Sequence, residues 1–278
     1  MEKFKIVSDS SCDFFEFEGV DFQSVPLKII TASREFVDNE KLDANEMTNF
    51  LAEYKGRSSS SCPNPQDWIS AFGDAENIFC ITISGSLSGC YNSAQIAKGI
   101  YEDRFPGRRV FVLDTLSTGP EMKLIIERVK KAYDDGASFD EICALSEEYS
   151  KTTGLFFILK SMQNLANNGR ISKIAAKAAG LLGIRVLGKA SDAGELMQLD
   201  KCRGEDAVIS RAISRMKEEG YAFGKVRITH CMNESGAKKI KKLILGENEN
   251  ADIEIYPTGG ICSFYAECGG IIIGFEKK

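Results

Sequence analysis

The chain has 278 residues, a formal net charge of −5, 43% hydrophobic residues and 27% charged residues. This composition predicts a globular protein with one large or two modest α/β domains and excludes a disordered chain. The basic residues are scattered, apart from Lys238–Lys242 on a predicted helix face, so a nucleic-acid partner is not expected. The nine cysteines include no CxxC pair and are interpreted as reduced thiols. The start, MEKFKIVSDSS, has no apolar stretch typical of a signal peptide or membrane span, so we expect a cytoplasmic protein.

Short β-rich segments alternate with helical segments in the first half of the chain. The predicted strands are Lys5–Ser8, Asn77–Ser84 and Arg109–Asp114. The predicted helices are Pro65–Gly73, Cys90–Arg104, Met122–Asp135 and Phe139–Ser150. Such alternation predicts an N-terminal α/β domain, residues 1–152, built on a doubly wound and mostly parallel sheet.

The pattern changes after Lys151 and predicts a second, mixed α+β domain at residues 153–278. Its predicted strands are Gly154–Leu159, Arg185–Lys189, Glu195–Lys201, Lys225–His230, Asp252–Tyr256 and Gly270–Phe275. Its predicted helices are Ala175–Leu182, Gly204–Glu219 and Ser235–Leu245. A turn at Ser191–Gly194 predicts that the strands on either side of it form an antiparallel pair.

Three hydroxyl-rich loops are the main functional signal from the residues themselves: Ser8–Asp13, Ser58–Pro65 and Ser84–Ser93. In an open α/β sheet, ligands bind at the carboxyl ends of the strands, where we place these loops. The third loop leads into a helix whose N-terminus favours an anion, and Asn64 is a predicted N-cap after the second. The pattern predicts a pocket for a carboxylate or a phosphate, although serine is also an ordinary cap and turn residue.

Evidence for catalysis or metal binding is weak in this sequence. His230 is the only histidine and ends the predicted strand VRITH, where either a structural or a catalytic role fits. Leu87 occupies the centre of GSLSG, so this segment is not a G-x-S-x-G nucleophile elbow. The chain has no Walker A or G-x-G-x-x-G sequence, no histidine pair and no paired cysteines. We therefore expect neither a metal nor a redox cofactor.

A set of ordered motifs resembles the DegV family of bacterial fatty-acid-binding proteins along nearly the whole chain. The motifs are KIVSDSSCD, SSSSCPNPQDW, ITISGSLSGCYNSA, VLDTLSTGPEM, LANNGRISK, KCRGEDAV and GGIIIGF. The resemblance implies two α/β domains with a lipid such as palmitate between them, its carboxylate held by hydroxyls and its tail in a tunnel. It also implies a non-enzymatic carrier without a cofactor, which presents its fatty acid to a fatty acid kinase.

The resemblance assigns the carboxylate ligands to two of the hydroxyl-rich loops. The family's T-S-x-P loop falls on Ser60, Ser61, Cys62 and Pro63, with serine in place of the usual threonine. The serine of the family's L-S-G-T motif falls on Ser88, and Gly89 would offer a backbone N–H.

Three further positions carry over from the family. Tyr265 stands where kinase-feeding members commonly have a histidine, which leaves a hydrogen-bond donor but brings presentation to a kinase into question. Arg170 and Arg203 match basic positions near the ligand or its partner, and a salt bridge within the second domain explains them equally well.

Two other functions are consistent with the same sequence. The same loops could serve an acyl- or phosphoryl-transfer enzyme with a reactive serine, assisted by His230 or Tyr265. A regulatory protein that senses a lipid would use the same pocket.

The apolar segment Gly154–Met162 either lines an acyl tunnel or belongs to the ordinary core.

Overall fold

A computed structural model describes residues 3–172 and 183–278 of the chain. Its strands, in chain order, are β1 Phe4–Asp9, β2 Asp21–Val25, β3 Lys28–Thr31, β4 Glu35–Val37, β5 Ser58–Ser61, β6 Asn77–Thr82, β7 Arg109–Asp114, β8 Thr153–Leu159, β9 Ile184–Ala190, β10 Leu196–Arg203, β11 Val226–His230, β12 Ile253–Pro257 and β13 Ile271–Glu276. A short 3₁₀ helix, Ser10–Cys12, follows β1.

The α-helices over the same residues are α1 Ala44–Glu53, α2 Pro65–Phe72, α3 Cys90–Arg104, α4 Pro120–Asp134, α5 Phe139–Lys151, α6 Gln163–Asn167, α7 Glu205–Glu218, α8 Glu234–Glu247 and α9 Gly260–Ala266. Among these helices, none is both long and apolar enough to cross a lipid bilayer.

The strands form three sheets. Strands β2, β1, β6 and β7 make a four-stranded parallel sheet in that order, and β4, β3 and β5 make a small antiparallel sheet. The six-stranded sheet has the order β10-β9-β8-β13-β11-β12 and is mixed, because β11 and β12 are parallel while the other pairs are antiparallel. The parallel N-terminal sheet and the mixed C-terminal sheet confirm the predicted fold class. The division at residue 152 stays a prediction, although none of these three sheets crosses it.

Most predicted elements are present within one or two residues of their predicted ends. The antiparallel pairing across the turn at Ser191–Gly194 is confirmed, as is Asn64, whose side chain accepts N–H groups of the first turn of α2. The predicted helix Ala175–Leu182 lies outside the described residues.

The prediction that Ser58–Pro65 is a loop after a strand of the parallel sheet was wrong. Ser58–Ser61 is strand β5, which pairs with β3 in the small antiparallel sheet. Serine is a poor strand former by itself, so this strand depends on the hydrogen bonds that β3 supplies. The sequence analysis also missed β2, β3, β4, α1, α6 and α9.

Helix α4 lies between the two large sheets. It contacts β6 of the parallel sheet and strands β8, β11 and β13 of the mixed sheet. One side of it is fully buried: Leu124, Ile125, Ile126 and Val129 have no exposed surface. Its burial therefore joins the two halves of the chain through one continuous apolar cluster, while a second cluster occupies the other face of the mixed sheet.

A buried arginine adds a charged link between α4 and the mixed sheet. Arg227 on β11 donates from Nε to Oε1 of Glu127 on α4 at 2.7 Å, and from Nη1 to Oδ1 of Asp252 at 2.9 Å. The Arg227 side chain is only 6% exposed and that of Glu127 is 13% exposed. Removal of the arginine would leave Glu127 largely buried, with Lys225 as its remaining partner.

We predict that Arg227→Met lowers the free energy of unfolding by about 2–4 kcal/mol, because it leaves the mostly buried carboxylate of Glu127 without its arginine partner. Urea denaturation followed by circular dichroism measures this change. The matched control is Lys131→Met on α4, which removes an exposed ion pair with Asp135, four residues further along the chain. This variant should change the free energy of unfolding far less. Equal losses for the two variants would contradict the role assigned to Arg227.

Candidate functional site

An apolar pocket lies between the parallel sheet and the mixed sheet. Its lining residues are Ser11, Leu27, Ser60, Ile83, Leu87, Ser88, Thr118, Leu155, Phe157, Leu159, Leu165, Arg170, Leu196, Ile261, Cys262, Tyr265, Ala266 and Ile272. Arg170 is the one charged residue among them, and most of the others are aliphatic. The pocket therefore suits an apolar ligand that has one polar end.

Ser60 and Tyr265 form a hydroxyl pair in the wall of this pocket. Ser60 comes from β5 and Tyr265 from α9, and their hydroxyl oxygens are 2.7 Å apart. Burial raises the pKa of Tyr265 above its ordinary value, while the hydrogen bond to Ser60 and the charge of Arg170 oppose that rise. The phenol therefore keeps its proton at neutral pH, so each hydroxyl has one proton to donate, either to its partner or to an anion.

Ser88 lies at the start of α3 and lines the same pocket. Its hydroxyl donates to Sγ of Cys90 at 3.2 Å. Gly89 is the N-cap of α3, and no side chain caps the first turn of this helix. Gly89 is not in the pocket lining: it packs against the loop after β5, where an added Cβ would lie 3.0 Å from Sγ of Cys62. The two hydroxyl-rich segments therefore meet beside a helix N-terminus, which favours a negative charge.

Arg170 brings a positive charge to the lining. Its guanidinium donates from Nε to the Leu87 carbonyl at 3.1 Å and from Nη1 to the Asn168 carbonyl at 2.5 Å. Its guanidinium carbon lies 5.7 Å from the centre of the Tyr265 ring. Within residues 3–172 and 183–278, Arg170 forms no ion pair, so the salt bridge considered from the sequence is not observed there.

Three other candidate residues lie away from the lining. Ser61 follows Ser60 in β5, and successive strand side chains point to opposite faces, so its hydroxyl points away from the pocket. Arg203 ends β10 and is exposed. His230 ends β11 outside the pocket lining, its buried Nδ1 has no hydrogen-bond partner among the described residues, and burial lowers its pKa.

The apolar segment Gly154–Met162 contributes side chains both to the pocket lining and to the core. Leu155, Phe157 and Leu159 line the pocket, whereas Phe156 and Ile158 belong to the apolar cluster on the other face of the sheet. This division follows from the alternation of side chains along β8.

Several lining residues were not identified from the sequence. Ser11 and Thr118 lie in segments that match the family motifs, and their hydroxyl content was the available signal. Leu27, Leu196 and Ile261 carry no comparable signal, because an isolated aliphatic residue in a sequence does not indicate which cavity it faces.

A model of the "Uncharacterised protein, DegV family" matches residues 3–278 of the chain. The chain belongs to the DegV family. A DegV domain-containing protein of Streptococcus pneumoniae is 40% identical over 276 residues, which cover 98% of both chains.

Two solved DegV-family structures are similar to this chain over its whole length. A protein from Eubacterium eligens, loaded with heptadecanoic acid, is 42% identical with a TM-score of 0.97, and the match covers 99% of this chain and 100% of that one. The Streptococcus pneumoniae Fatty Acid Kinase (Fak) B3 protein, loaded with linoleic acid, is 40% identical with a TM-score of 0.97, and the match covers all of both chains. The similar structures therefore carry long-chain fatty acids.

Three buried carboxylates hold the loops around the pocket of this DegV-family chain. Asp9 accepts the N–H of Ile83 at 2.8 Å, and Asp13 accepts that of Gly259 at 2.8 Å. Asp38 accepts two further N–H groups at the start of α9. Burial raises the pKa of Asp13 to about 7 and those of Asp9 and Asp38 to about 6. Each ionised carboxylate therefore costs stability at neutral pH.

Asp13 allows a direct test of this cost. Its Oδ1 accepts the Gly259 N–H, whereas its Oδ2 is buried and has no hydrogen-bond partner among the described residues. Between its ordinary pKa of 3.8 and its native pKa of about 7, the native state holds a proton that the unfolded state has lost. The contribution of Asp13 to stability therefore falls as the pH rises through this window and stays low above it.

We predict that Asp13→Asn raises the free energy of unfolding by about 1–3 kcal/mol at pH 8, because it removes the buried charge and keeps the acceptor for Gly259. At pH 4.5 the native carboxyl is protonated and the pH is within one unit of its ordinary pKa, so the difference should be much smaller than at pH 8. Urea denaturation at the two pH values measures both differences. A difference independent of pH would contradict the raised pKa.

Proposed function

We propose that this protein is a carrier that binds one long-chain fatty acid in the apolar pocket. Its carboxylate is held by the hydroxyls of Ser60, Tyr265 and Ser88, with Arg170 supplying the nearby positive charge. The observation that carries the proposal is a pocket of mostly aliphatic side chains that includes a Ser60–Tyr265 hydroxyl pair. Ser61 and Arg203 are not part of this proposed site.

The balance of forces supports such a ligand. At about 0.8 kcal/mol per methylene, burial of the chain of palmitate supplies roughly 10 kcal/mol. A few hydrogen bonds from neutral hydroxyls then suffice to orient the head, since each contributes about 0.5–1.5 kcal/mol, or up to about 3 kcal/mol with a charged acceptor. The tail accounts for most of the affinity, and the polar residues set the direction of binding.

The similar structures support the same ligand class. The Eubacterium eligens protein holds heptadecanoic acid and the Streptococcus pneumoniae protein holds linoleic acid, both at TM-scores of 0.97 with this chain. A carboxylate on a long hydrocarbon chain is common to the two ligands. We expect the same ligand class in a pocket of similar backbone geometry.

A serine-dependent transferase is the alternative, and the site offers little to activate a serine. Among the described lining residues there is no histidine, aspartate, glutamate or lysine to act as a general base. The hydroxyl of Ser88 donates to Cys90, and His230 lies outside the lining. A fluorophosphonate probe distinguishes the two functions: covalent labelling of Ser88 would support the enzyme and contradict the carrier.

We predict that Ser60→Ala and Tyr265→Phe each weaken palmitate binding by about five- to twentyfold, because each removes one donor to the carboxylate. Isothermal titration calorimetry with delipidated protein measures the affinities. Native mass spectrometry of the protein as purified identifies any acid it already carries.

The matched control is Ser59→Ala, since Ser59 lies in the same strand with its side chain on the opposite face from Ser60. Its affinity should equal that of the unaltered protein. An unaltered protein that takes up no fatty acid would refute the proposed function, and equal affinities for Ser60→Ala and Ser59→Ala would refute the assigned site.

We also propose that the bound acid is delivered to a fatty acid kinase. The name of the Streptococcus pneumoniae relative, a Fatty Acid Kinase (Fak) B3 protein, supports this partner. The test supplies the loaded protein to the kinase subunit of such an enzyme with ATP and measures transfer of the γ-phosphate to the acid. Transfer above that with free fatty acid alone supports delivery, and its absence shows that this protein binds its lipid for another purpose.

A further inference from the structure

Asp38 makes an unusual pair of contacts at the start of α9. It follows β4 directly and has no exposed surface. Its Oδ1 accepts the N–H of Gly260 at 2.6 Å, and its Oδ2 accepts the N–H of Ile261 at 2.9 Å. One carboxylate from the first forty residues thus holds two consecutive N–H groups of a helix more than two hundred residues away.

This arrangement lowers stability at neutral pH. Within the described part of the chain, no cation forms an ion pair with Asp38, and an unpaired carboxylate in the interior is costly. A carboxylate is the one side-chain group whose two oxygens are both acceptors in a planar fork. Asp38 therefore contributes by fixing the geometry at the start of α9 and not by adding stability.

Helix α9 depends on such contacts for its position. It has seven residues, too few for a helix to be stable by itself. At its far end the Asn164 amide donates to the Phe264 carbonyl at 2.8 Å. At its start the fit is tight, because a Cβ on Gly260 would lie 2.7 Å from Oδ1 of Asp38 and 2.4 Å from Cδ2 of Leu42. Both ends of the helix are thus held.

The position of α9 determines the proposed head-group contact. Tyr265 is on this helix, and its hydroxyl lies 2.7 Å from that of Ser60 on β5. Hydrogen-bond energies fall off within a few tenths of an ångström of the best distance, so a small shift of α9 would separate this pair.

We propose that Asp38 is a positioning residue for fatty-acid binding, which acts through the start of α9 to place the Tyr265 hydroxyl beside Ser60. The inference rests on the proposed function, because Tyr265 and Ser60 are its carboxylate ligands. Asp38 itself does not line the pocket and makes no contact with the ligand in this scheme.

The test is a double-mutant cycle of Asp38→Asn and Tyr265→Phe, with palmitate affinity measured by calorimetry at pH 7.5. Asparagine keeps the shape of Asp38 but turns one acceptor into a donor that faces a backbone N–H. We expect Asp38→Asn to weaken binding by about five- to tenfold, and the double variant to bind within about twofold of Tyr265→Phe alone. If the loss of affinity in the double variant equals the product of the two single fold-losses, the inference is overturned, since Asp38 would then act without Tyr265.

Two further variants complete the test. Gly260→Ala disturbs the same contact from the other side and should show the same dependence on Tyr265, which keeps the test decisive if Asp38→Asn does not fold. Glu121→Gln is the matched control: it removes another buried carboxylate, bonded to Ser117 and Thr153, that does not line the pocket. Its palmitate affinity should stay within about twofold of the unaltered protein. A loss as large as that of Asp38→Asn would overturn the inference.

The failure of the inference is distinguishable from the failure of the proposed function. If the unaltered protein takes up no palmitate, the carrier function and this inference are refuted together. If the unaltered protein binds palmitate but Asp38→Asn binds it equally well, the carrier function stands and only the positioning role of Asp38 is refuted.

Discussion

The pocket depends on buried carboxylates that take the place of regular hydrogen bonding in the loops around it. Asp9, Asp13 and Asp38 all come from the first forty residues, and together they accept N–H groups of Ser11, Ile83, Gly259, Gly260 and Ile261. Loops that border a cavity cannot pair with a neighbouring strand on the cavity side, yet their buried N–H groups still need acceptors. A carboxylate meets that need at the cost of a buried charge, so the loops stay in place while the pocket stays open.

The same buried carboxylates that hold the loops around the pocket lower the stability of the native state. The raised pKa values of Asp9, Asp13 and Asp38 mean that the ionised forms weaken the native state at neutral pH. A protein under selection for stability alone would replace such groups with apolar side chains. The buried face of α4 offsets this cost, and the ion pair of Arg227 with Glu127 links α4 to the mixed sheet.

The distribution of polarity in the pocket separates affinity from orientation. The aliphatic walls give a large and non-directional gain when they cover a hydrocarbon chain. For the proposed ligand, the hydroxyls of Ser60, Tyr265 and Ser88 give a small and directional gain, with Arg170 nearby. Tyr265 supplies a hydroxyl that keeps its proton at neutral pH, because burial raises its pKa.

The sequence by itself determined the elements whose patterns are local. Long amphipathic helices such as α3 and strands such as β7 follow from periodicity, and the hydroxyl-rich segments marked both serines of the proposed site. The small sheet and α9 were missed, because they are short, polar or held by distant partners. Only the tertiary structure decided that Ser60 rather than Ser61 faces the pocket, since the pairing of β5 with β3 sets that face. It also decided that Tyr265 meets Ser60, because a contact between residues 205 positions apart depends on how Asp13 and Asp38 hold α9.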